Sequence, residues 1–275
     1  MTNVCLVGLG RTGMEIARFF MEQRDIKIVG AICSEFSPKI GKDIGEVLGL
    51  PNTGAKIYSP GQLKHVIDKI KPDVFVDFSN YKATMSMVKT IAEAGKGLVI
   101  GTTGFSKTDL MRMRVLAKKH GAAIVYAPNI TLGVNVMMLL TNIVSRILTD
   151  YDFEISEAHH RHKKDAPSGT ALKIADEIEK GLEFSGVEVN RPIPIHATRA
   201  GGIVGRHQLI AAGDNDKIEI VHESFSRKAF AEGALKCVRF IRNKKGFFEM
   251  KDVLDLERVL SSYFDKTKTA AAAEG

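Results

Sequence analysis

Between residues 157 and 171 the chain reads EAHHRHKKDAPSGTA. Three imidazoles (His159, His160, His162), two ammonium groups (Lys163, Lys164) and the guanidinium of Arg161 crowd into consecutive positions, followed by Asp165 and the small-residue run Pro-Ser-Gly-Thr. Three chemistries fit such a cluster. Imidazoles ligate zinc, but adjacent histidines on a strand point to opposite faces. Neither H-E-x-x-H nor H-x-E with C-x-x-C occurs, so no metal is expected. A basic solvated loop is the second reading. The third is an anion-binding reductive site. There the SGT segment opens a helix whose free N–H groups hold a carboxylate, while histidine and lysine donate protons.

The elements upstream favour the third reading. NVCLVGLGRTGMEIARFFMEQ runs from an apolar strand through Gly8, Gly10 and Gly13, spaced G-x-G-x-x-G, into a helical pattern. Arg11 and Thr12 lie inside that turn. Strand, glycine turn and helix in this order suit a dinucleotide pyrophosphate, because the glycines let backbone N–H groups approach it at the positive end of the helix. The second strand, 26–33, ends in Cys33 and Ser34 with Glu35 following, so the acid that an NAD site usually carries there is missing or displaced. Arg11, Lys39 and Lys42 are basic and close in sequence, so a 2′-phosphate is suited; the expected cofactor is NADPH and/or NADH, with NADPH preferred or at least well used. A solvated loop is the competing account of Lys39 and Lys42.

The alternation continues. A helix is expected at SPGQLKHVIDKIK, opened by Ser59 and Pro60, then strand 72–80, a helix from YKATMSM, strand 97–105, a helix ending at a glycine, and strand 122–129. Repeated β-α units imply a parallel sheet with helices on both faces and ligands at the carboxyl ends of its strands. The loops 78–80, 101–105 (Gly101, Thr102, Thr103) and 127–129 (Ala127, Pro128, Asn129) are therefore candidate cofactor-lining segments. The expected fold class is α/β, a Rossmann-type doubly wound parallel sheet at 1–129 with a second α+β domain at 130–239. That second domain carries a mixed or antiparallel sheet, including a hairpin at GDND (213–216), and a helix that starts at Ser168 or Thr170 and stops near Gly181. Residues 240–275 are expected to return to the first domain, with the tail KTKTAAAAEG frayed.

Composition excludes several classes. The net charge of +7 admits a nucleic-acid partner, but the basic residues are dispersed and no tryptophan offers a stacking platform, so none is expected. An anionic small molecule accounts for the charge as well. No apolar run approaches the ~20 residues of a membrane span. Three scattered cysteines suggest neither a disulfide framework nor a zinc knuckle, which makes a reducing cytoplasm the default.

EAHHRHKKDAPSGTA, with GLGRTG, GTTGF, YAPNITLGVN, RAGGIVGRH, SFSRKAFAEGAL and GFFEMKDVLDL in that order, closely resembles the 4-hydroxy-tetrahydrodipicolinate reductase (dihydrodipicolinate reductase) family over nearly the whole chain. The resemblance implies hydride transfer from a nicotinamide to a cyclic unsaturated imine in the diaminopimelate route to lysine. It implies His159 as general acid and Lys163 as proton-donating, substrate-binding lysine. His160, Gly169 and Thr170 would hold a carboxylate of the dicarboxylate substrate. Gly8, Arg11, Gly13, Gly101, Thr103 and 127–129 would line the cofactor groove. It also implies a homotetramer built through the second domain's sheet. Where many members carry an acid this chain has Cys33, and its DFSN loop is a variant of a DFT-type segment; both bear on cofactor choice. A reductase of another amino-acid-derived imine, or a catalytically silent dinucleotide sensor, is the alternative. Arg199 is a weaker candidate for anion contact, and Asp165 is expected to orient its loop.

Overall fold

The computed structural model describes residues 1–262; the expected frayed tail, 266–275, lies outside them. The chain divides into two compact units, one of Met1–Ile130 with the chain from Phe230 onward, the other Thr131–Ala229.

The first unit opens with β1 (Thr2–Val7), α1 (Arg11–Met21), β2 (Ile26–Ile32), a short α2 (Ile44–Leu48) and β3 (Lys56–Tyr58). Apolar side chains of β1 are buried on both faces, as expected of a strand inside a parallel sheet. The helix expected after Ser59 forms as three short pieces: a 3₁₀ turn (Pro60–Gln62), α3 (Leu63–His65) and a π-helical turn (Val66–Ile70) capped by Lys71. Ser59 and Gln62 make a reciprocal capping box at its start. Then follow β4 (Val74–Asp77), α4 (Tyr81–Glu93), β5 (Gly97–Ile100), α5 (Lys107–His120) and β6 (Ala123–Tyr126). Helix α5 starts at a Ser106–Asp109 capping box and stops at Gly121, whose φ of +62° only glycine adopts readily.

The second unit contains α6 (Leu132–Ile147), β7 (Asp152–His159), α7 (Gly169–Phe184), β8 (Ile195–Arg199), β9 (Gly205–Ala212) and β10 (Lys217–Ser224). Its sheet has the order β10-β9-β7-β8, with β7–β8 parallel and the other pairs antiparallel. The GDND turn closes the β9–β10 hairpin through Gly213 N–H to Asp216 C=O. Side chains of α6, α7 and one face of β7 and β9 form its core, around Ile155, Ile174, Ile178 and Leu209. Helix α7 does not stop at Gly181 but runs three residues further. A Cβ at Gly181 would sit 1.9 Å from Ser145 Oγ and 2.8 Å from Asn142 C=O, so this glycine serves close packing of α7 on α6, not termination.

The chain then returns through α8 (Lys228–Ile241), β11 (Gly246–Glu249) and α9 (Met250–Leu254). The first unit resumes at Phe230, ahead of the expected residue 240. From that helix, Gly233 lies against the Ile130 carbonyl and Arg239 pairs with Asp25. Strand β11 joins the first sheet, giving seven parallel strands in the order β11-β6-β5-β4-β1-β2-β3. Strand order reverses between β1 and β4, the crevice where doubly wound sheets bind ligands. No described helix is long and apolar enough to cross a membrane.

Candidate functional site

In the first unit the expected cofactor residues converge on the carboxyl ends of β1, β2, β4, β5 and β6. Gly8 has φ +89°, and a Cβ there would meet the Phe78 carbonyl at 2.8 Å; a Cβ at Gly13 would lie 1.9 Å from the Gly8 carbonyl. Both glycines therefore serve close backbone approach. Gly10 differs: it is the N-cap of α1, has no side-chain cap, and has nothing within 4 Å of an added Cβ. Open space thus lies before a helix N-terminus that starts at exposed Arg11 and half-buried Thr12 and has no acid in its first turn. This is the cradle a pyrophosphate needs, and the residues present fit a dinucleotide.

The neighbouring loops join the same cluster. Gly101 packs on the Phe78 ring, and Ala127 N–H donates to the Ile100 carbonyl. Thr103 is exposed, while Pro128 and Asn129 are half-buried. Cys33 is buried and donates its N–H to Tyr58, leaving exposed Ser34 to follow β2. Lys39 is not a solvated loop residue: its Nζ lies 2.5 Å from the Leu9 carbonyl, inside the glycine turn. Lys42 instead pairs with Glu46 on the surface. Asp77, given no role from sequence, is 1% exposed. Its carboxylate accepts from Ser79 Oγ (2.6 Å), Thr84 Oγ1 (2.5 Å) and Thr102 Oγ1 (3.3 Å), tying the loops after β4 and β5 together. Burial raises its pKa against those hydrogen bonds.

In the second unit the stretch 157–171 begins on β7 and ends in α7. Alternation along β7 places Glu157 and His159 on the same buried face. His159 Nδ1 lies 2.5 Å from Glu157 Oε2. Burial holds the His159 imidazole below its ordinary pKa; Glu157 opposes that shift, and Lys163 and Arg199 add to it. Burial also works against ionised Glu157, but hydrogen bonds from Arg199, His159 and Ser168 outweigh it and hold its pKa below the usual carboxylate value. His160 is half-buried on the next position. Lys163 turns back through its N–H to the His160 carbonyl and pairs with Asp165 at 2.9 Å. The GG turn is pinned to this loop, because Arg161 N–H donates to Gly201 and Ala200 N–H donates to His159.

Ser168, not Thr170, caps α7, accepting from Ala171 N–H at 3.2 Å. Gly169 is exposed, with nothing within 4 Å of an added Cβ, and no acid occupies the first turn. The Gly169 N–H is bound by the Asp165 carboxylate, so an anion already sits at the start of α7, beside His159 and Glu157, whose Oε1 accepts the Ser168 N–H. Arg199 is no free anion contact: both terminal nitrogens bind Glu157, at 2.9 and 2.6 Å. His207, unremarked in sequence, stands edge-on to His159 with ring centroids 5.2 Å apart. Glu157, His159 and His207 bring potential ligand atoms within 4.8 Å of one another, but the guanidinium on both Glu157 oxygens puts a fixed positive charge beside any cation there. The Glu157 spacing to His159 was a readable signal; Arg199 and His207 reach the site only through strand pairing.

Comparison with known proteins agrees with this layout. The family model described as "Dihydrodipicolinate reductase, N-terminus" matches residues 2–130, and the one described as "Dihydrodipicolinate reductase, C-terminus" matches residues 133–254. The 4-hydroxy-tetrahydrodipicolinate reductase of Methanothermobacter thermautotrophicus is 39% identical over 272 residues, 93% of this chain and all of the relative. That of Methanopyrus kandleri is 41% identical over 264 residues, 91% of this chain and 95% of the relative. The solved dipicolinate-bound dihydrodipicolinate reductase of Paenisporosarcina sp. TG-14 superposes with a TM-score of 0.75 at 26% identity, covering 90% of this chain and 97% of that one. An amine dehydrogenase from Mycobacterium smegmatis shares the fold alone, at 14% identity and TM-score 0.63, over 90% of this chain and 94% of that one. Matched in both halves, this chain belongs to the dihydrodipicolinate reductase family.

Proposed function

We propose that this chain reduces 4-hydroxy-tetrahydrodipicolinate to tetrahydrodipicolinate in lysine biosynthesis through diaminopimelate, using NADPH in preference to NADH. The observation that carries the reading is the buried Glu157–His159 pair beside an anion-binding start of α7, where Gly169 N–H already holds the Asp165 carboxylate, in a chain whose relatives bear that enzyme's name. The substrate is a cyclic dicarboxylate, and a relative is described as dipicolinate-bound. The N–H groups of Gly169 and Thr170, with His160, hold one carboxylate, which takes the place of the Asp165 carboxylate now on Gly169 N–H. The Lys163 ammonium binds the substrate and, with His159, supplies the proton that follows loss of water and reduction at C4. Anchoring the ring at its charges removes much of the entropic cost of aligning it. The nicotinamide, when bound, supplies the hydride. Gly8, Gly10 and Gly13 admit its pyrophosphate to the start of α1, and Lys39, held at Leu9, places a cation for a 2′-phosphate where Cys33 and Ser34 offer no competing carboxylate. A homotetramer is proposed through the second sheet, whose edge strand β10 exposes Ile218 and Val221.

The test offers freshly generated 4-hydroxy-tetrahydrodipicolinate with NADPH and then NADH, following absorbance of the reduced cofactor. Rapid oxidation is expected, with kcat about 10²-fold lower in Lys163→Ala and the NADPH advantage reduced in Lys39→Ala. No oxidation by a folded protein that binds NADPH refutes the substrate assignment, pointing to another imine or to a sensor. Size-exclusion chromatography with light scattering reads the tetramer.

A further inference from the structure

We propose that Glu157, clamped by Arg199, is the positioning residue that sets the orientation and tautomer of His159, so that Nε2 is the nitrogen that handles the substrate proton. The inference rests on the reading of His159 given above and names what makes it work.

Glu157 is on the middle of the second sheet with its side chain fully enclosed. Four donors converge on its two oxygens. Oε1 accepts from Arg199 Nη2 at 2.6 Å and from the Ser168 N–H at 3.1 Å; Oε2 accepts from Arg199 Nη1 at 2.9 Å and meets His159 Nδ1 at 2.5 Å. An ionised carboxylate only accepts, so Nδ1 carries the hydrogen and Nε2 is left for the reaction. The same logic orients the histidine of a hydrolase triad. Gly205 keeps the Nε2 edge clear, since a Cβ there would stand 3.2 Å from it. Through Ser168, the cap of α7, the one carboxylate also ties His159 to the helix start that holds the substrate carboxylate.

The surrounding charges make Glu157 decisive for protonation. Lys163 from the following loop, Arg199 from β8, and His207 from β9 with His222 behind it on β10, face His159 or its partner. The Asp165 carboxylate is paired to Lys163 and accepts the Gly169 N–H at the start of α7. Glu157 is the carboxylate in direct contact with the imidazole. Loss of its charge disfavours the imidazolium, so the alkaline limb of the activity profile moves to lower pH.

The test uses the full chain with substrate and NADPH, comparing the parent with Glu157→Gln, Glu157→Asp and His159→Ala. For Glu157→Gln we expect kcat lowered about 10²-fold, an unchanged Kd for NADPH, and the alkaline limb shifted downward. Imidazole ¹⁵N spectra are expected to show His159 as the Nδ1–H tautomer in the parent and as a mixture in the variant; Glu157→Asp should recover part of the rate. A purely structural role would move none of the tautomer signals. Parent-like kcat, profile and tautomer in folded Glu157→Gln overturn the proposal. Should that variant not fold, Glu157→Asp, which keeps the charge but withdraws it by one methylene, is read by the same criteria. Parent-like turnover in His159→Ala refutes the reading of His159 itself, a result distinct from an inert Glu157 beside an essential His159.

Discussion

Replacing Gly10 with alanine separates the folding of the glycine turn from its proposed ligand. Gly10 sits at φ −76° and ψ −168°, extended backbone that alanine adopts, and an added Cβ meets nothing within 4 Å. The folding cost is therefore that of an alanine at an N-cap, about 1 kcal/mol or less. The methyl instead enters the space where the pyrophosphate is proposed to lie against α1. Displacing the anion from two N–H groups forfeits two charge-assisted hydrogen bonds. At about 1.5 kcal/mol each, the loss is about 3 kcal/mol, or about 100-fold in Kd. Gly13→Ala is the contrast: its Cβ would lie 1.9 Å from a backbone carbonyl, so the strand–helix junction itself must move, and stability and binding fall together. Titration of NADPH by fluorescence, with urea denaturation of each variant, measures both quantities. Undiminished NADPH affinity in Gly10→Ala would show that the pyrophosphate is not on this turn, whatever the outcome for Gly13→Ala.

Two further predictions concern stability. Burial pushes the His207 pKa from its ordinary 6.5 down to about 3, so the unfolded chain takes up this proton first. Stability present above pH 6.5 is therefore lost as pH falls from 6.5 to about 3, by up to about 5 kcal/mol at 1.36 kcal/mol per unit; urea titrations at successive pH values should show a shallower decline in His207→Gln, and parallel curves would refute the assignment. Gly181→Ala, with its methyl driven to 1.9 Å from Ser145 Oγ, should cost about 1–3 kcal/mol. Adding Ser145→Ala should recover part of that cost in denaturation midpoints, and no recovery would mean that α6 and α7 do not meet at this pair.

Local pattern determined much of this protein. Strand runs, helical spacing and glycine turns act over a few residues, so the β-α order of the first unit, the G-x-G-x-x-G cradle and the basic stretch 157–171 were legible in the sequence. Even there, Gly181 misled, because a glycine that permits close helix packing looks the same in sequence as one that ends a helix. Only the tertiary structure decided the partners. Arg199 meets Glu157 across 42 positions because β8 pairs with β7 in register. His207 arrives because β9 pairs on the other side, Lys39 reaches Leu9 by folding of the loop after β2, and Asp77 gathers hydroxyls from two loops. Such contacts depend on strand register and on burial, which removes water as the competing partner and makes each charge seek another. The spacing of neighbouring residues can mark which face of an element is buried, but not which distant strand pairs with it or in what register.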